Sequence, residues 1–303
     1  MGPLVLWLAG LGVPLLLMLA WWPSGKPKSR PVLPNPNGYD SFVKLAGQLQ
    51  GIPAIGPCWT NALWRVIPIA DLRSFVTTNS GFLELVREGL RLPCHAPTDY
   101  DEGYQTRYEH VLGGCKRLGH CLVGEGYLAE LDGKPADALQ SYLDCQRLGQ
   151  ESSRGALIFD RSVGLVIEHL GLTYVLPLIP TLDAVNARKC LEGLLTLDKT
   201  HDAPAVNFAN EDEWISKAFP LGQRIALQIH PMMRKDNRDW RDKFATKVGL
   251  LQASRRLAII EAAARLFELE KGRRPASYTD LLPAYLRTVP LDPATGKEIA
   301  HPF

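Results

Sequence analysis

The hydrophobic pattern of this chain begins with one long apolar run. Residues 4–22 carry no charged side chain, and only Gly10, Gly12 and Pro14 interrupt the apolar residues. At the rise of an α-helix this run spans about 28 Å, close to the thickness of the hydrocarbon core of a bilayer. Tryptophans near both of its ends favour the membrane interface. The pattern predicts a transmembrane anchor at residues 1–22, with a cleaved signal peptide as the alternative.

A proline-rich stretch follows the apolar run and predicts a stalk at residues 23–38. Five prolines in this stretch resist helix and sheet, so the segment should behave as a semi-stiff spacer. Basic residues at Lys26, Lys28 and Arg30 follow the span. By the positive-inside rule, they place the bulk of the chain on the cytoplasmic side.

Beyond the stalk, apolar residues recur every three or four positions, and prolines or turn pairs separate the segments. The two-residue alternation that is typical of a half-buried strand does not occur in the sequence. The pattern therefore predicts an all-α fold, with a helical domain at residues 39–232 and a C-terminal part at 233–303. The predicted helices cover residues 39–49, 71–90, 103–131, 135–150, 156–176, 181–198, 205–229 with a break near Pro220, and 234–270.

Composition and charge narrow the class of protein. The chain is 46% hydrophobic and 22% charged, as in ordinary folded proteins, and 34 Lys and Arg oppose 32 Asp and Glu. A net charge of +2 gives no electrostatic case for nucleic-acid binding, so no nucleic acid is expected among the partners.

The helix predicted at 156–176 carries an unusual polar stripe. Asp160, Arg161, Glu168 and His169 lie among Leu, Ile and Val, and each would be unfavourable in lipid. One interpretation is a core helix whose polar stripe is paired or faces solvent. The other is a polar cleft inside the helical array, formed by these four residues.

The sequence contains no recognisable metal-binding or catalytic motif. His110, Cys115, His120 and Cys121 crowd one helical region but fan around the helix axis, and no HExxH or CxxC motif is present. Cys94 is the best candidate for a reactive thiol, although a structural loop cysteine is the more common case. The sequence therefore assigns no catalytic residue, no metal ligand and no cofactor.

A helical hairpin is predicted at residues 117–150. It combines a small residue at the helix crossing, a glycine at the turn, and a small–aromatic–small series on the second helix. The residues at these positions are Gly126, Gly133, Ala138, Tyr142 and Cys145. In this spacing the hairpin resembles a tetratricopeptide repeat. The resemblance implies a repeat-like array, in which flanking helices complete the stack because one repeat cannot bury its apolar face alone.

The C-terminal part begins with a long helix whose apolar residues alternate by three and four along one seam. A Ser277-x-x-Asp280 capping box then predicts a short helix. The order of long helix, G-R-x-P, L-L-P-x-Y-L and P-x-D-P resembles the latter part of the major pseudopilins of type II secretion, which implies a shared structural module. The seam residues are Leu250, Ala253, Leu257, Ile260, Ala264 and Phe267.

The whole order of anchor, stalk, repeat-like hairpin and tail resembles a group of bacterial single-span, membrane-anchored helical proteins. That resemblance implies an architecture and brings no activity with it. An anchor, a stalk and stacked hairpins together favour a non-enzymatic, protein-binding scaffold, whose expected partners are the membrane, through residues 4–22, and another protein. The alternatives are a membrane-tethered enzyme with a polar pocket on helix 156–176 and a structural component of the cell envelope.

Overall fold

The computed structural model describes residues 32–49, 63–101, 103–222, 224, 231–300 and 303. The predicted transmembrane anchor at residues 4–22 and most of the predicted stalk lie outside the described residues. Both stay predictions.

The described residues form helices joined by turns, together with one isolated antiparallel bridge between Leu291 and Glu298. The all-α class predicted from the sequence is confirmed. The helices are α1 (Gly38–Ala46), α2 (Leu63–Val66), α3 (Ile69–Leu90), α4 (Tyr104–Leu131), α5 (Pro135–Glu151), α6 (Ile158–Leu178), α7 (Ala184–Thr200), α8 (Pro204–Ala218), α9 (Pro231–Lys271) and α10 (Tyr278–Leu281).

Most predicted boundaries lie within a few residues of the observed ones, and the differences have local causes. Helix α6 runs through Pro177 to Leu178 and continues as a 3₁₀ turn at Ile179–Thr181. Ser277 precedes α10 but its side chain makes no capping hydrogen bond. Asp280 Oδ2 accepts a hydrogen bond from the Ala276 N–H at 2.6 Å, one residue before the Ser277 N–H that a capping box would use, so the predicted box does not form.

Helices α4 and α5 form an antiparallel hairpin over the segment predicted at 117–150. The turn contains Gly133, whose φ of 72° suits glycine. Tyr142 is fully buried, and its ring lies against Gly126, where a Cβ atom would approach Tyr142 Cδ1 to 2.7 Å. Ala138 and Cys145 are also fully buried. These residues therefore pack the hairpin, while its kinship with tetratricopeptide repeats stays a prediction.

Helices α5 and α6 approach each other backbone to backbone. A Cβ atom on Gly149 would lie 2.5 Å from the Gly164 carbonyl oxygen, and one on Gly171 would lie 2.6 Å from the Tyr142 carbonyl oxygen. Real Cβ atoms do not come so close to backbone, so glycine is required at both positions. This tight crossing places the polar residues of α6 against α5.

The remaining long helices cover the α4–α5–α6 stack. Helix α7 packs against α5, and α9 returns along α7 and α6. Only part of the predicted seam on α9 is buried: Ile260 and Phe267 lie in the core, whereas Leu250 is 63% exposed. The buried face of α9 also includes Phe244, Leu251 and Arg255, which the prediction left out.

Among the described helices, Ile158–Thr181 is long and apolar enough to cross a membrane, with a mean hydropathy of 1.6. Length and composition alone identify it, and 61% of its most apolar stretch is buried inside the protein. It packs against α4, α5 and α9, as the core helix of a globular domain does.

Substitution of Gly126 tests the close packing of the hairpin. We expect Gly126→Ala to lower the free energy of unfolding by about 2 kcal/mol, because the new methyl group overpacks the buried Tyr142 ring. Gly249→Ala is the matched control: its Cβ atom would meet no other atom within 4 Å, so it should raise stability by up to about 1 kcal/mol. Chemical denaturation of the purified full-length protein measures both, and a stabilising Gly126→Ala would contradict this packing.

Candidate functional site

Three charged side chains meet in the core where α6 faces α9. Arg161 and Glu168 lie two turns apart on α6 and therefore on one face of that helix. Arg161 Nη1 lies 2.5 Å from Glu168 Oε1, and Arg255 Nη2 of α9 lies 2.5 Å from Glu168 Oε2. At most 3% of any of these side chains is exposed. One carboxylate thus holds two buried guanidinium groups.

The electrostatics of this group favour an ionised Glu168. Burial raises the pKa of the Glu168 carboxyl, but the two neighbouring guanidinium groups together lower it by more than burial raises it. The net shift of the pKa is therefore downward. An ionised carboxylate in the interior is tolerated only when it is paired and hydrogen-bonded. Here each of its oxygens accepts a hydrogen bond from an arginine.

Helix α5 and the turn after it supply further polar contacts to the two arginines. Arg161 Nη1 donates to Ser153 Oγ at 3.2 Å, and Arg255 Nε donates to Gln146 Oε1 at 3.5 Å. Sequence reasoning missed both Gln146 and Arg255. The signal for Arg255 was its position four residues after Leu251 and four before Ile259, both of which are buried on the same face of α9.

Asp160 lies apart from this cluster, beside Tyr104 of α4. The Tyr104 hydroxyl oxygen lies 2.8 Å from the Pro97 carbonyl oxygen and 3.1 Å from Asp160 Oδ2. Because a hydroxyl group has one proton, it cannot donate to both acceptors at once. A protonated Asp160 resolves the conflict: its carboxyl donates to Tyr104, and Tyr104 donates to Pro97.

The pKa of Asp160 agrees with this arrangement. Burial raises it to about 7, although the Tyr104 hydrogen bond opposes the shift, and the nearby Glu211 carboxyl raises it further. Glu211 itself accepts a hydrogen bond from the Ile158 N–H at 3.1 Å, at the first turn of α6, and burial raises its pKa too. Asp160 therefore belongs to a separate acidic pocket at the start of α6.

The four residues proposed for a polar cleft are thus distributed over three environments. Arg161 and Glu168 are paired in the core, Asp160 is buried with Tyr104, and His169 is exposed on the outer face of α6. The thiol of Cys94 is also buried, and burial raises its pKa to about 12, which leaves it a poor nucleophile at neutral pH.

The described residues include no group of three or more His, Cys, Asp or Glu side chains that could hold a metal ion. Comparison of the chain with known proteins finds no matching family model, no matching curated protein and no matching solved structure.

A solvent-open cleft of about 930 Å³ lies between α7, α9 and residues 283–291. Leu195 and Leu291 on its walls are 41% and 45% exposed, whereas Ile259 and Leu286 are buried. Arg256 joins the walls, since its Nε lies 3.0 Å from Asp198 Oδ2 and its Nη1 donates to the Leu291 carbonyl oxygen at 2.6 Å. The charged residues at the cleft also include Glu192, Lys199 and Arg287.

Substitutions at two consecutive residues of α6 separate the core network from the surface. We expect Glu168→Gln to lower the free energy of unfolding by about 3 kcal/mol or more, because two buried arginines lose their counter-charge. His169→Ala, at the exposed neighbouring position, should change it by no more than about 0.5 kcal/mol. Equal effects of the two variants in thermal unfolding would contradict the buried network.

The raised pKa of Asp160 predicts a pH-dependent stability. Between the pKa of an ordinary Asp and about 7, the folded state binds a proton that the unfolded state has lost, so stability falls as pH rises through this window. Asp160→Asn removes this penalty. Its advantage over the wild-type chain should be near zero at pH 4 and grow to on the order of 4 kcal/mol at pH 8. A difference in melting temperature that does not vary with pH would refute the assignment.

Proposed function

We propose that this protein is a non-enzymatic scaffold that is anchored to a membrane by residues 4–22 and binds a partner protein in the cleft between α7, α9 and residues 283–291. The observation that carries the proposal is the difference between the buried charged cluster and the residues that line the open cleft. The strongest charged cluster is sealed in the core, whereas the open cleft presents exposed apolar side chains between charged residues.

The cleft has the properties that favour protein recognition. Apolar side chains surrounded by charged residues are typical of interfaces, where the apolar part supplies affinity and the charged rim supplies orientation. The Arg256 contacts to Asp198 and to the Leu291 carbonyl oxygen hold the two walls together before a partner binds. Such preorganisation lowers the entropic cost of association.

The enzymatic alternative receives less support. A substrate would have to reach Arg161 or Glu168 through packed helices, because at most 3% of either side chain is exposed. Cys94 and Asp160 are both buried as well. No specific observation favours a purely structural role in the cell envelope.

Site-specific photocrosslinking of the full-length protein in native membranes tests the proposal. A photoreactive amino acid at Leu195 or Leu291 should yield a crosslinked species of one defined mass. The same probe at Val185 is the control, because Val185 is 64% exposed on α7 and does not line the cleft. Crosslinks of equal yield from all three positions, or from none, would count against a partner in the cleft.

A matched pair of charge substitutions then measures the contribution of the cleft to binding. Leu195→Asp should reduce co-purification of the crosslinked partner at least tenfold, because a carboxylate would be desolvated within an apolar contact. Val185→Asp should leave co-purification unchanged. If both variants retain the partner, the binding surface lies elsewhere.

A further inference from the structure

The core network around Glu168 is not balanced in charge. Within the part of the chain that the structure describes, two buried guanidinium groups, those of Arg161 and Arg255, share the single carboxylate of Glu168. Arginine stays charged in proteins, so the network carries one excess positive charge. A buried, uncompensated charge is strongly unfavourable, which implies that something else supplies the missing negative charge.

The neighbouring acidic side chains are held elsewhere. Asp144 of α5 accepts hydrogen bonds from Arg87 Nε at 2.8 Å and from Gln140 Nε2 at 2.8 Å. Asp160 is consecutive with Arg161 on α6, but its carboxyl lies against the Tyr104 hydroxyl. Neither carboxylate is placed to neutralise Arg255.

Two hydrogen-bond donors of the network point to the kind of group that is required. Arg255 Nη1 and Gln146 Nε2 are buried and have no hydrogen-bond acceptor among the described residues. Both side chains are fully buried, and they belong to one cluster because Arg255 Nε contacts Gln146 Oε1. Unsatisfied donors beside an excess positive charge call for an acceptor that is itself negative.

The crossing of α5 and α6 is shaped around the same side chains. A Cβ atom on Gly171 would lie 2.9 Å from Gln146 Cγ, and one on Gly149 would lie 2.7 Å from Glu168 Cγ. Glycine at these two positions therefore gives Gln146 and Glu168 the space that they occupy. The polar cluster is therefore built into a close crossing of two helices.

We propose that Arg255 Nη1 and Gln146 Nε2 bind one small monovalent anion, such as chloride, inside the core. A single negative charge completes the balance with Arg161, Glu168 and Arg255, and a monatomic ion requires the least space among the closely packed helices. This structural anion site is independent of the proposed partner-binding cleft, because neither Arg255 nor Gln146 lines that cleft.

Thermal unfolding of the full-length protein in detergent tests the site with chloride as the probe. Sodium chloride replaces sodium gluconate over a hundredfold concentration range at constant ionic strength. An ion that binds only the folded state should raise the melting temperature by about 5 °C over this range once chloride exceeds its dissociation constant.

Two arginine variants identify the site. Arg255→Met removes both the excess charge and the unsatisfied donor, so its melting temperature should not depend on chloride. Arg87→Met is the matched control, since Arg87 is also largely buried but contacts three carboxylates, those of Glu84, Glu125 and Asp144. This control should retain the full chloride dependence, whatever its overall stability.

Crystals grown in sodium bromide provide a second measurement that requires no variant. An anomalous scattering peak within hydrogen-bonding distance of Arg255 Nη1 and Gln146 Nε2 would support the proposal even if Arg255→Met fails to fold. A wild-type melting temperature that is flat in chloride, equal chloride slopes in the wild type and Arg255→Met, or no bromide peak at this position would each overturn it. Those results would assign the two donors to buried water instead.

Discussion

Glu168 lies fully buried where α5, α6 and α9 meet, and each of its carboxylate oxygens accepts a hydrogen bond from a buried arginine. Apolar contacts alone tolerate sliding and rotation of helices, whereas these charge-assisted bonds are directional. They therefore fix the rotation of α9 against α6, and the glycines at the α5–α6 crossing allow the approach that brings Gln146 into the same group. Positions of the outer helices follow from this arrangement, because α7 packs between α5 and α9.

The buried ionic network also determines which side chains line the proposed binding cleft. Helix α9 carries Arg255 toward the core and Arg256 toward the cleft, so the same helix that closes the ionic network forms a wall of the proposed binding surface. The exposed side chains Leu195 and Leu291 stand on elements that Arg256 joins together. The walls of the cleft are thus positioned by the same helix that closes the core network.

The sequence was sufficient to predict the helices but not the contacts between them. Prolines, turn residues and apolar periodicity are local signals, and they located the long helices to within a few residues. The buried face of α9 was predicted only in part, because an apolar pattern passes over Arg255, which is fully buried on that face. Asp160 and Arg161 were assigned to one polar stripe with Glu168, yet consecutive helical side chains diverge by about 100°, and here Asp160 faces Tyr104 while Arg161 faces Ser153 and Glu168. Partners such as Tyr104 and Gln146 come from other segments, which no local pattern could identify.

Two consecutive arginines that bind different neighbours also constrain how this chain can change in length during evolution. An inserted or deleted residue in the middle of α9 would turn one half of the helix by about 100° relative to the other. Phe244 and Leu266 could then no longer face the core together with Arg255, and Arg256 would lose either Asp198 or the Leu291 carbonyl oxygen. The contacts of Arg255 and Arg256 thus fix the number of residues in the middle of α9. We expect insertions and deletions among descendants of this chain to occur in its turns.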